Sequence, residues 1–159
     1  MPLFLIRKPL SAFHFMTALD RLRTHIVQVP AHLTTLSITE LTQKAPGKWS
    51  KKELLGHLID SAITNLKRFT DAQVSDGPYL IQGYDQNKLV VFNNYQHLPL
   101  DHLLTLWQDL NTQIIYVTEI IPAEMLARPI HLADATTRPL SWLIEDYVVH
   151  LEHHLKTLL

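Results

Sequence analysis

The chain has 159 residues, 47% of them hydrophobic and 18% charged, with a formal net charge of −1. That is the composition of a globular protein, and the length suits one domain, residues 1–159, with a sizeable core. The absence of cysteine excludes disulfides, iron–sulfur clusters, cysteine-based zinc sites and a cysteine nucleophile. No basic block points to a nucleic-acid partner, and no apolar run reaches the ~18 residues of a membrane span.

The opening segment, Met1-Pro2-Leu3-Phe4-Leu5-Ile6-Arg7-Lys8, puts its charges after a short apolar run. This is the wrong order for a secretory signal, so a soluble, cytoplasmic protein is expected. The first ~10 residues read as irregular or strand-like. Leu19, Leu22, Ile26 and Val29 recur at helical spacing, but Pro30 is expected to kink or interrupt that first helix. Ser37-x-x-Glu40 has the form of a capping box and predicts a short helical turn.

A second capping box, Ser50-x-x-Glu53, opens the clearest helix, with Trp49 and Leu54 at the positions of a hydrophobic staple. This second long helix is expected to run to about Gln73, before the breaker Ser75-Asp76-Gly77-Pro78. Residues 74–98 form a long connection. A third helix is expected from Pro99, a good first-turn residue. Its stripe of Leu100, Leu103, Trp107, Leu110, Ile114, Val117 and Ile121 alternates by three and four, as in a bundle, and Pro122 should end it. A fourth is expected from Pro139, with Leu140, Leu143, Tyr147, His150, His154 and Leu158 on one stripe.

Four long amphipathic helices predict an all-α four-helix bundle. The connection between the second and third is long enough to cross the bundle and leave those two helices parallel.

Chemistry concentrates in the histidines. His150 and His154 stand four apart, which stacks two imidazoles on one face of a helix. Two such nitrogens can hold one metal ion if a third ligand joins them, and the open positions left over would suit a reactive site rather than a closed structural one. The competing reading is a pair of core histidines hydrogen-bonded to their neighbours. His57 is the best third candidate. By periodicity, however, it falls outside the apolar arc of its helix, on a polar stripe with Ser61, Thr64 and Arg68. It is therefore either a solvent-facing side chain or part of a polar cleft. If His57 meets His150 and His154, the second and fourth helices must be antiparallel, and the order becomes up-down-down-up.

His153 is expected on the flank of the pair or as a supporting group behind the ligands, rather than as a ligand itself. Asp60, one turn after His57, is either a solvated residue or a carboxylate that orients a ligand or a metal-bound water. Trp107 and Trp142 are expected in the core. Glu145, Asp146 and Glu152 read as surface charges, with Glu152 placed to pair with Lys156. The other histidines get an ordinary structural reading. Tyr84, Asp85, Asn87, Asn93, Asn94 and Tyr95 lie in the long connection, where binding residues are often found.

Gly47-Lys48-Trp49-Ser50-x-x-Glu53-x-x-Gly56-His57-Leu58-x-Asp60 resembles the second-helix motif of the DinB/YfiT-like superfamily, and His150-x-x-His153-His154 resembles its closing motif. The resemblance covers roughly residues 15–159 and leaves residues 1–14 peripheral. It implies an up-down-down-up bundle with a divalent metal, zinc or nickel, on His57, His150 and His154.

Such an ion would activate water, as in a hydrolase, or an external thiol. The resemblance also implies the latter, since some members are S-transferases or isomerases that use a low-molecular-weight thiol. With no cysteine in the chain, any thiol must come from outside. The expected function is a metal-dependent enzyme acting on a small molecule. The alternative is a non-catalytic small-molecule-binding or stress-response bundle whose metal is structural or incidental. Self-pairing into a homodimer is compatible with such a bundle.

Overall fold

The computed structural model describes residues 10–159, with side chains described from Ala18 onward. The reading of residues 1–9 as irregular or strand-like lies outside the described residues. Four long helices dominate: α1 (Leu10–Leu33), α3 (Lys51–Val74), α5 (Leu100–Glu119) and α7 (Leu140–Leu158). Shorter α2 (Ile38–Thr42), α4 (Gln86–Phe92), α6 (Ala123–Leu126) and a 3₁₀ turn at Tyr95–His97 lie between them.

Side-chain pairs give the directions. Lys51 Nζ donates to the carbonyls of Thr157 and Leu158 at 3.2 and 2.5 Å, and Phe69 packs its ring edge-on to Tyr147 at 6.0 Å. The start of α3 therefore meets the end of α7. Arg21 bonds Glu145 and Glu152, and His25 bonds Glu152, so α1 runs parallel to α7. Arg23 reaches Glu119, and Gln108 reaches Ile26, so α1 and α5 are antiparallel. The order is up-down-down-up, as the long connection allowed.

Local signals set the helix starts. Ser37 and Ser50 both form complete capping boxes, with Glu40 and Glu53, and Pro99 and Pro139 are the N-caps of α5 and α7. The third long helix ends at Glu119, just short of Pro122 as expected, and Pro122 then caps α6. One expectation fails here. Pro30 does not interrupt α1, which continues to Leu33. A proline lacks the N–H that would bond the carbonyl four residues back, here Ile26. The side-chain amide of Gln108 supplies that donor from α5, at 3.2 Å.

The connection between α3 and α5 is ordered by pairing that periodicity does not show. Its strand β1 (Tyr79–Leu80) runs parallel to β2 (Pro129–His131), which pairs antiparallel with β3 (Thr137–Pro139). The register sets Tyr79 opposite Ile130, a fully buried residue. Arg128 braces the same corner by donating to the carbonyls of Gln73 and Ser75.

The core holds Leu19, Leu22, Leu58, Phe69, Leu103, Trp107, Ile114 and Ile144. Trp107 is fully buried, as expected, whereas Trp142 is only partly buried, with Arg138 over its ring. Glu145 and Glu152 are not simple surface charges, because the parallel packing of α1 brings Arg21 and His25 to them. No helix among the described residues is long and apolar enough to cross a membrane.

Candidate metal centre

The amino-terminal half of α3 is buried on every side, from Lys52 to Ala62. That overturns the solvent-facing reading of His57, whose exposure is 0%. The polar stripe is covered by segments that are short or remote in sequence. Trp49 lays its indole over the His57 ring, with centroids 4.8 Å apart and planes 31° apart. The 3₁₀ turn docks beside it: Ser50 Oγ donates to Gln96 Oε1, and Gln96 Nε2 donates to the Thr42 carbonyl. Gly56 receives the ring of Tyr95, since a Cβ there would lie 2.1 Å from the ring carbons.

Because α3 and α7 are antiparallel, His57 arrives opposite His150 and His154. Its Nε2 lies 3.2 Å from His150 Nε2, and the rings of all three histidines meet edge to face at 4.7–5.4 Å. One ligand atom from each falls within 4.8 Å of the others. His153 is outside this group; it is exposed, and its ring meets the edge of His154 at 5.3 Å between centroids.

Charge is disfavoured here. His57 is pushed down to about 4 by burial and then by the neighbouring charges of His154 and His150. His154 is also pushed down to about 4, by burial and by His150 and His153. His150 is lowered, again chiefly by burial. All three imidazoles are therefore neutral near neutral pH, the form that ligates metals.

A spacing of 3.2 Å is close to that of two nitrogens sharing one ion at ~2.1 Å bond lengths. His57 Nδ1 is buried without a protein hydrogen-bond partner, while Nε2 is the nitrogen that faces His150. The donor set suits zinc, nickel, copper or iron.

Asp60 is buried, not solvated, with 4% exposure. Its Oδ1 accepts from the Tyr95 hydroxyl at 2.7 Å and from Asn93 Nδ2 at 2.9 Å. Burial raises its pKa against the lowering effect of those two bonds. Asn93 and Tyr95 belong to the crossover. Sequence marks that region only as a place to look, and their role depends on where the 3₁₀ turn docks.

An up-down-down-up bundle with three histidines converging between antiparallel helices defines a distinct class of helical protein. The chain belongs to the DinB superfamily, whose profile matches residues 21–158. A Halalkalibacterium halodurans protein, named provisionally as a metal-dependent hydrolase, is 25% identical over 135 residues, covering 82% of this chain and 78% of its own. Among solved structures, the fold is similar to that of Bacillus subtilis YfiT, described as having an unusual four-helix bundle topology. The TM-score is 0.75 at 19% identity, covering 97% of this chain and 86% of YfiT. It is also similar to a mycothiol-dependent maleylpyruvate isomerase, with a TM-score of 0.65 at 17% identity, covering 86% of this chain and 58% of that one.

Proposed function

We propose that His57, His150 and His154 hold one divalent metal ion, zinc or nickel, and that the protein is a metal-dependent hydrolase of small molecules. The observation that carries this is the convergence of three neutral imidazoles, from two antiparallel helices, with one ligand atom each within 4.8 Å of the others. Among the described residues no cysteine or carboxylate completes the group, and three protein ligands leave positions for water and substrate. When bound, such an ion supplies the Lewis acidity that brings water, or a thiol, into its reactive form near neutral pH.

The chain's own residues do the rest. His57, enclosed by Trp49 and the crossover, is shielded from solvent. His150 and His154 are half-buried, so a small molecule would approach from the α7 side. The provisional name of the Halalkalibacterium relative supports hydrolysis.

A second reading is transfer or isomerisation with an external low-molecular-weight thiol. It is favoured by the mycothiol dependence of the isomerase of similar fold; with no cysteine in this sequence, the thiol would come from outside.

The test is elemental mass spectrometry of tag-free protein beside a His57→Ala, His150→Ala double variant, followed by ester and amide hydrolysis with and without added thiols. Near-stoichiometric metal only in the parent, with thiol-independent hydrolysis, is the expected result. Turnover of an electrophile only when thiol is present would favour the second reading. No metal in either protein after incubation with zinc or nickel would overturn the proposal.

A further inference from the structure

Two buried polar atoms on α3 have no protein hydrogen-bond partner: His57 Nδ1 and Asp60 Oδ2. The residues stand three apart, so their side chains are neighbours on the helix surface. One is a donor when protonated and the other an acceptor.

The rest of each group is already committed. His57 Nε2 faces His150 Nε2 at 3.2 Å. Asp60 Oδ1 is bonded by Tyr95 and Asn93, both of which donate. Those two bonds fix the rotation of the carboxyl group, leaving Oδ2 as its only free acceptor. The approach of Tyr95 depends on the missing side chain of Gly56. A single buried water with polar partners on both sides is the ordinary way to join such atoms.

We propose that Asp60 is a positioning residue for His57. Its Oδ2 accepts the Nδ1 proton of His57 through one bridging water, which holds the tautomer whose Nε2 lone pair faces His150 and His154. Asn93 and Tyr95, from the crossover, act one step further out by aiming the carboxylate. A carboxylate acting through a ligand's second nitrogen typically alters metal affinity by ~10–100-fold. That consequence rests on the metal-binding reading above; the tautomer does not.

The test is Asp60→Asn. Tyr95 and Asn93 pin the carboxamide oxygen in the place of Oδ1, which leaves an NH₂ donor where Oδ2 was. The polarity at that atom is reversed with no change of shape. Imidazole ¹⁵N NMR on metal-free protein should show His57 protonated at Nδ1 in the parent and at Nε2 in Asp60→Asn, and zinc affinity should fall by ~10–100-fold.

The same tautomer in both proteins would overturn the proposal and leave Asp60 a purely structural anchor, visible only in the melting temperature. If Asp60→Asn does not fold, the parent decides: Nε2–H at His57 overturns the proposal and Nδ1–H supports it. A parent that binds no zinc but shows the tautomer switch would remove the metal reading and keep this one.

Discussion

Gly56 presents bare backbone to the ring of Tyr95, whose Cγ and Cδ2 would lie 2.1 Å from any Cβ at that position. The contact sits one residue before His57 and seats the crossover against the helix that carries it. Gly56→Ala should therefore destabilise the protein although alanine favours a helix. Overpacking of this kind costs about 1–3 kcal/mol, a melting-temperature loss of several degrees in a domain of this size. A variant that melts at or above the parent's temperature would show that the ring moves aside freely.

Removal of a ligand should separate metal content from folding. His150→Ala and His154→Ala replace half-buried side chains, so circular dichroism should stay helical while metal content falls to background. His153→Ala should keep its metal, because that ring lies outside the group. Equal losses at His153 and His154 would mean the wrong pair has been assigned.

Acid should destabilise the metal-free protein. His57 and His154 are pushed down to about 4 from an ordinary 6.5, so folding favours their neutral forms. A lowered folded-state pKa gives stability that is fully present above the unfolded value and is lost as pH falls through the folded one. The urea midpoint of chelator-treated protein should hold steady above pH 6.5 and fall between 6.5 and about 4. A His57→Leu, His154→Leu variant should flatten that fall; an unchanged slope would place the acid sensitivity elsewhere.

Gln108 and Pro30 should be coupled. Gln108 donates to the Ile26 carbonyl that Pro30 cannot serve, so Gln108→Ala should cost about 0.5–1.5 kcal/mol. With Pro30→Ala the helix regains its own donor and the Gln108 penalty should shrink. A double-mutant cycle on urea midpoints measures this, and strict additivity would show that the two residues act independently.

Much of this molecule is local and so could be read along the chain. The capping boxes at Ser37 and Ser50 and the stacking of His150 on His154 are written into spacings of three and four residues, because a helix brings such positions together wherever it forms. The antiparallel pairing of the second and fourth helices followed from linker length and from asking where His57 must go, and the side-chain pairs between α3 and α7 bear it out.

What the chain alone left open, or reversed, depended on partners distant in sequence. Periodicity put His57 on a polar stripe and left Asp60 undecided between solvent and site. Both are buried because Trp49, the 3₁₀ turn and the crossover close over the start of α3. Pro30 was expected to kink or interrupt a helix that instead runs on to Leu33, with the Ile26 carbonyl bonded by Gln108 from another helix. Local spacing thus determined the four long helices, the capping boxes at Ser37 and Ser50 and two of the three clustered histidines. Tertiary structure alone decided that the third histidine is enclosed, neutral and 3.2 Å from its partner. The physical reason is that burial belongs to whatever packs across a residue, and for His57 most of that comes from elsewhere in the chain.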